Sequence, residues 1–381
     1  MSYSSTHLPN QMFTEIYQQY DFNSVANEIT TRPFDENRFG QLLNGNDEIT
    51  LNDFYLLLSP EADRYLEIMA QRAQAITRQR FGNVILLYAP LYLSNECRSS
   101  CSYCGFSFEN KTPRLTMQMD DIIKEAELLY NMGIRHILLL TGEDKKNTPI
   151  EMIAEAGHRL SQEFSSVGIE IYPVSSQDYR LFRNSGIDSL VIYQETYDPV
   201  KYSEVHRRGL KKRLAYRLET PDRAGEAGLR RINIGALLGL SSEPAAEIFF
   251  LGLHARYLMK RYWQSQLTIS LPRLRPARGF SDVPRVADRD FVRYLIALRL
   301  LLPDVGLVLS TRENESMRNH LADICVTTLS AASRTDPGGY SERGAGSQFS
   351  INDTRNVQEM VTALKSMALE PVFVDWNLAL K

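Results

Sequence analysis

The sequence predicts an α/β fold: a (β/α)8 barrel of the TIM type, with a helical N-terminal extension and a C-terminal tail. Three observations predict it. Eight short apolar runs recur after Phe81, most of them separated by helix-length segments, and strands alternating with helices imply a parallel sheet. Eight such units suit a closed barrel; an open doubly wound sheet is the alternative that strand count leaves standing. Polar and charged residues collect at the C-terminal ends of several runs, where barrel enzymes build their active sites.

Residues 1–80 read as a helical lead-in. Asn52–Leu58 and Pro60–Arg80 fit amphipathic helices, with Ser59 as an N-cap and Pro60 in the first turn. Leu66, Met69, Ala73 and Ile76 share one helical face. The barrel is expected over 81–333. Its strands are predicted at Val84–Leu93, His136–Thr141, Ile169–Val174, Leu190–Gln194, Arg231–Leu237, Leu267–Leu271, Val305–Ser310 and Ile324–Leu329. Helices are predicted at Thr116–Met132, Glu151–Ser165 and Asp288–Leu302. In the final unit, 334–381, the Gly- and Ser-rich stretch 334–350 reads as a long loop, either disordered or a lid. A helix at Thr354–Met367 and a tail, Pro371–Leu378 with Trp376, are expected to pack back on the body.

Bulk properties exclude several classes. With 43 basic and 46 acidic residues the net charge is −3, which gives no electrostatic footprint for nucleic acid. The longest apolar run, Val84–Leu93, is interrupted by Pro90 and too short to span a membrane. The opening MSYSSTHLPN lacks a charged-then-apolar secretory pattern. A cytoplasmic chain is expected, with no membrane partner.

Three of the four cysteines, Cys97, Cys101 and Cys104, fall within eight positions. A secreted disulfide scaffold would spread its cysteines, so the cluster points to a metal centre in a reducing compartment. Loop placement after a strand lets three thiolates converge, and three ligands on a four-iron cube leave one iron free to bind a small molecule. Structural zinc prefers four ligands in two pairs, and the nearest histidine downstream is His136. A redox pair at Cys101 and Cys104 leaves Cys97 unexplained. Spacing favours an iron–sulfur cluster over both. Cys325, expected on the last strand, reads as a buried free thiol.

The triad resembles the radical S-adenosylmethionine superfamily, whose pattern is C-x3-C-x2-C with an aromatic before the last cysteine; Tyr103 fills that place. More closely, the chain resembles the tyrosine lyases of thiamine biosynthesis, the 2-iminoacetate synthases. The matching blocks are RFGN (80–83), PLYLSN (90–95), CSYCGFS (101–107), TGE (141–143), YQETY (193–197), RLETPDR (217–223), PRLRP (272–276), STRE (310–313) and PGGY (337–340). They span most of the chain. The resemblance implies a [4Fe–4S] cluster on Cys97, Cys101 and Cys104 that reductively splits S-adenosyl-L-methionine into methionine and a 5′-deoxyadenosyl radical. That radical takes a hydrogen from the amine of L-tyrosine, and the Cα–Cβ bond breaks to give p-cresol and 2-iminoacetate. It also implies an electron donor of the flavodoxin or ferredoxin type and, as a partner, thiazole synthase.

Residues follow from the same resemblance. Thr141, Gly142 and Glu143 match the block that receives the methionine ammonium, Glu195 is placed for the ribose hydroxyls, and Tyr103 lies against adenine. A substrate carboxylate calls for an arginine fork, and Arg275 and Arg312 are the candidates, with Ser310 and Ser330 as hydroxyl donors. The basic run from His206 to Arg213 reads foremost as a solvated helix face; it could also position the carboxylate of S-adenosylmethionine or dock an acidic partner. His206 is also a candidate proton carrier for the phenol, and Tyr340 a candidate lid residue. The tyrosine lyases of iron-hydrogenase maturation share the first cleavage but add a second cysteine motif, and no cysteine follows Cys325 here. A tryptophan lyase, a biotin-synthase-like sulfur inserter and a non-catalytic iron–sulfur or zinc scaffold are the remaining alternatives.

Overall fold

The computed structural model describes residues 11–45, 48–341 and 343–375. The opening ten residues, and Trp376 of the expected tail, lie outside them. Eight parallel strands close into a barrel: β1 (Val84–Ser94), β2 (His136–Thr141), β3 (Ser166–Glu170), β4 (Ser189–Glu195), β5 (Arg231–Ala236), β6 (Gln266–Ser270), β7 (Gly306–Leu309) and β8 (Thr328–Ser330). Closure is direct, with Leu87 of β1 opposite Leu329 of β8. Helices cover the outside, so strands such as β2 are buried at nearly every residue and read as continuous apolar runs.

Two bulges sit at the C-terminal end of the barrel. One falls between Tyr92 and Ser94 of β1, the other between Tyr193 and Glu195 of β4. A bulge re-aims the side chains around it. Glu195 consequently takes a left-handed backbone, φ 68°, a strain of about 1–3 kcal/mol that its surroundings must hold.

The structure departs from expectation in three elements. β3 spans Ser166–Glu170 rather than Ile169–Val174, because its register is set by β2: His136 pairs with Ser166 and Leu140 with Glu170. The pairing with β2 ends at Glu170, and Tyr172 and Val174 continue as buried loop. The eighth strand begins at Thr328, not Ile324. Ile324 closes the helix Glu315–Ile324 and Cys325 caps it, its N–H donating to Leu321, so Cys325 is buried at a helix end and not on a strand. One apolar run is divided by a turn that hydrophobicity does not mark. The predicted helix Pro60–Arg80 is a 3-10 turn, Pro60–Tyr65, running into an α-helix, Leu66–Phe81. Tight first turns of this kind are common at helix starts, and Ser59 does cap it, accepting from the Glu61 N–H.

The N-terminal helices Phe13–Tyr17, Phe22–Thr31 and Leu51–Leu58 pack on the long helix Pro244–Arg261. Phe13 stacks on His254 with ring centroids 3.7 Å apart. The described residues 334–341 and 343–350 form a strap across the barrel mouth. Tyr340 donates its hydroxyl to the Pro90 carbonyl at 2.8 Å, and the N–H groups of Tyr340 and Ser341 donate to the Glu125 carboxylate. Farther on, Glu370–Val372 adds a short parallel strand beside the start of β1. Among the described residues no helix is long and apolar enough to cross a membrane.

Candidate active site at the barrel mouth

β1 delivers the chain into the cysteine loop, and three groups fix that loop. Asn95, fully buried, donates to Pro113 and accepts from the Leu115 N–H. The Arg114 guanidinium donates to the carbonyls of Asn95, Phe106 and Ser107. Ser100–Cys101 pairs antiparallel with His206–Arg208. The end of β2 then clasps the loop: Gly142 donates to Ser94, Arg98 donates to the Glu143 carbonyl, and the Glu143 N–H points at Cys97 Sγ, 3.4 Å away. A Cβ on Gly142 would lie 2.1 Å from the Glu96 carbonyl oxygen. Only glycine permits that approach.

Cys97, Cys101 and Cys104 line one cavity together with Tyr103, Thr141, Gly142, Glu143 and Glu195. Its empty space is about 850 Å³, open solvent included. Among the described residues no three His, Cys, Asp or Glu side chains are arranged to hold a single metal ion. Three thiols and no histidine line the cavity. Tetrahedral zinc would draw its ligands to one centre, whereas an iron–sulfur cube is a body with separate corners, and the donors present fit the latter. Burial, reinforced by Glu143, pushes the Cys97 thiol up to about 11, and burial also raises those of Cys101 and Cys104, against which Lys211 acts in the opposite direction. A bound metal centre displaces such protons. Thr141 Oγ1 is buried in the wall without a hydrogen-bond partner among the described residues.

Behind the thiols lies a network of paired charges. Lys211 Nζ is 2.5 Å from Glu195, and Arg217 reaches both Glu195 at 3.3 Å and Glu143 at 3.4 Å. Arg217 also donates to the Tyr193 carbonyl. Glu143 accepts from Ser99 Oγ at 2.7 Å. Burial alone would raise the Glu195 carboxyl; Lys211 and Arg217 outweigh it and hold the group below its ordinary value. Glu195 is therefore a fixed anion at neutral pH.

A second chamber of about 460 Å³, open solvent included, adjoins the first, sharing Glu170, Tyr193, Arg312, Gln348 and Phe349 with it. Ser310 and Ser330 line this chamber, as do Tyr88 and Tyr92. The Arg312 guanidinium lies over the Phe349 ring, 3.4 Å from its centre. Six charged side chains line the two spaces: Glu143, Glu170, Glu195, Lys211, Arg217 and Arg312. Four are tied into the network above. The Glu170 carboxylate and the Arg312 guanidinium make no hydrogen bond or ion pair among the described residues.

The remaining candidates fall elsewhere. Arg275 lines neither space; its guanidinium donates to Asn352 at 2.5 Å. His206 is buried behind Tyr103, whose hydroxyl sits 2.8 Å from Nε2, while Nδ1 faces the Tyr202 carbonyl. Tyr340 anchors the strap on the outer side of β1 and does not face the cavity. The basic run is not a solvated helix face. It forms the short strand His206–Arg208, paired with Ser100–Cys101, and a 3-10 turn, Leu210–Lys212. His206 and Lys211 are enclosed, and Arg207, Arg208 and Lys212 face outward. Sequence reasoning missed Arg217, Glu170 and Gln348, and took Lys211 only as part of the basic run. Gln348, from the strap, accepts from the Tyr92 hydroxyl and points its Nε2 at Cys104 Sγ, 3.9 Å away. For Arg217 the RLETPDR block was a usable signal; Glu170 carried none.

Comparison with known proteins extends these observations. Residues 91–251 match the Radical SAM superfamily and residues 270–370 the Biotin and Thiamin Synthesis associated domain. The 2-iminoacetate synthases of Escherichia coli (strain K12) and Salmonella typhimurium (strain LT2) are each 38% identical over 367 residues, covering 96% of this chain and 97% of theirs. Among solved structures, the FeFe-hydrogenase maturase HydG from Carboxydothermus hydrogenoformans superposes with a TM-score of 0.86 at 30% identity, covering 98% of this chain and 87% of that one. Methylornithine synthase, 19% identical over 87% of this chain and 96% of its own, shares the fold with a TM-score of 0.71.

Proposed function

This chain belongs to the 2-iminoacetate synthase family of radical S-adenosylmethionine enzymes, and from that premise we propose how its own residues serve the reaction. The enzyme is a lyase that cleaves the Cα–Cβ bond of L-tyrosine to 2-iminoacetate and p-cresol. When bound, a [4Fe–4S] cluster and S-adenosyl-L-methionine supply the one-electron chemistry that generates a 5′-deoxyadenosyl radical.

Cys97, Cys101 and Cys104 hold the cluster, and Gln348 and the Glu143 N–H lend polar contacts to two of the sulfurs. Glu143 and Glu195 bind the ammonium and ribose of S-adenosylmethionine, in a site whose net charge Lys211 and Arg217 keep balanced. Tyr103 forms the wall beside the adenine. Arg312 receives the tyrosine carboxylate through its open fork, and Ser310 and Ser330 add hydroxyls. The strap roofs the mouth and limits water, which protects a reactive intermediate from side reactions. The observation that carries this assignment is one continuous cavity, with three thiols at its rim and an unpaired arginine within.

The iminoacetate product is reactive and is consumed in building the thiazole ring; thiazole synthase is the partner we propose for that step. Flavodoxin or ferredoxin is the electron donor we propose. The test is anaerobic reconstitution with reductant, S-adenosylmethionine and tyrosine. Formation of p-cresol, 5′-deoxyadenosine and glyoxylate from hydrolysed imine is expected; a fully loaded protein that makes no p-cresol would refute the tyrosine lyase assignment.

A further inference from the structure

Glu170 ends β3 and is the one carboxylate in the cavity wall with no partner, where every other lining charge except Arg312 is paired. Buried charges are normally paired, because an isolated one bears a large desolvation penalty. An unpaired anion and an unpaired cation in the same wall, too far apart to bond each other, leave room for a molecule carrying both complementary charges. An amino-acid zwitterion is such a molecule. Its carboxylate has Arg312.

We propose that Glu170 is the catalytic residue that binds the amino group of tyrosine and removes one proton from it before the hydrogen-atom transfer. The inference rests on the tyrosine lyase assignment and deepens it. In the step, an N–H bond of the substrate ammonium breaks, its electron pair stays on nitrogen, and the proton forms an O–H bond on Glu170. The charges −1 and +1 become a neutral acid and a neutral amine, so nothing else need be consumed. Loss of both charges is favoured in a dry site. The neutral amine is the form whose N–H breaks homolytically to a neutral aminyl radical rather than to an aminium radical cation.

The surroundings suit that role. Burial, aided by Glu195, raises the Glu170 carboxyl to about 7, against the lowering pull of Arg312, Lys211 and Arg217. The phenols of Tyr88, Tyr92 and Tyr193 complete its charged and titratable surroundings, and burial keeps all three neutral at physiological pH. Glu170 is thus a stronger base than an ordinary carboxylate while still ionised in a useful fraction near neutrality. It also stands in the wall shared by both spaces, the one that the thiols line and the one that Ser310 and Ser330 line.

The test compares holoenzyme carrying Glu170→Gln with wild type. Without reductant, L-tyrosine and 3-(4-hydroxyphenyl)propanoate, which lacks the amine, are titrated into each. Wild type is expected to favour tyrosine by about tenfold or more, and Glu170→Gln to lose that preference while binding the analogue normally. With reductant, p-cresol formation should fall about 100-fold. The acid limb of kcat/KM near pH 7, where wild-type activity rises as Glu170 ionises, should vanish. Glu170→Asp should restore both the preference and the limb in part, which guards against a misfolded glutamine variant. Unchanged tyrosine preference and pH profile in Glu170→Gln, or equal loss of affinity for both ligands, would overturn the inference and leave the lyase assignment intact. Wild type that binds no tyrosine and yields no p-cresol would instead remove the assignment and this inference together.

Discussion

Lys211 Nζ and Glu195 Oε1 meet at 2.5 Å in a space where both side chains are nearly closed to solvent. The pair holds Glu195 in its strained bulge conformation at the end of β4. Lys211→Met should leave the carboxylate with Arg217 alone, at 3.3 Å, and destabilise the protein by about 3 kcal/mol. Urea denaturation at pH 7 measures this, with an unchanged slope marking a true stability change. Because the folded carboxyl lies below its unfolded value of about 4.3, its contribution is full above that pH. It fades as pH falls through the folded value. A loss under about 1 kcal/mol would show that the pair does not secure the bulge.

Cys101 belongs to the short ladder with His206–Arg208 through its backbone and to the cavity through its thiol. Cys101→Ala should keep the fold, since the ladder needs only the main chain. It should lose the brown cluster absorbance and tyrosine cleavage together. Circular dichroism, bound iron and p-cresol assays check the three parts, and cleavage retained by the variant would disprove the ligand assignment.

Arg312 is held by stacking on Phe349 rather than by an anion. Arg312→Lys keeps the charge but loses the planar fork and most of the stack. The KM for tyrosine should rise roughly 10- to 100-fold, a loss of about 1.5–3 kcal/mol of charge-assisted hydrogen bonding. Cleavage of S-adenosylmethionine without tyrosine should persist, so 5′-deoxyadenosine measured against p-cresol separates substrate binding from damage to the cluster. An unaltered KM would move the carboxylate site elsewhere.

Gly105 is where the strap touches the cysteine loop: its N–H donates to Gln348 at 2.9 Å. A Cβ there would lie 2.5 Å from the Ser347 carbonyl oxygen and 2.8 Å from that of Gln348. Gly105→Ala should lift the strap, at about 1–3 kcal/mol, and expose 343–348 to protease. Limited proteolysis reads the opening directly. Protection equal to wild type would mean the strap accommodates the methyl group in place.

Much of this was legible in the chain. Runs buried on both faces, such as His136–Thr141, announce themselves by composition alone. Strand ends set by a neighbour's register do not, which is why β3 and β8 lie away from the apolar runs that suggested them. Cys101, Cys104 and Glu195 stood in recognisable blocks, and Cys97 in the spacing before them. Lys211 was hidden because a basic run reads as surface until the fold encloses part of it. Glu170 was hidden because its significance lies in what it lacks, a counter-charge, and only three-dimensional placement reveals that.

The strand that leads into the cysteine loop is flanked at its start by Glu370–Val372 and along its middle by Thr328–Ser330, both hundreds of residues later in translation. During synthesis, then, the thiols emerge early while the walls that will enclose them are still unmade. Closure of such long-range contacts comes late in folding. The three cysteines consequently precede in synthesis the later strands that close the barrel around them, and the finished fold seals a cradle made before its roof.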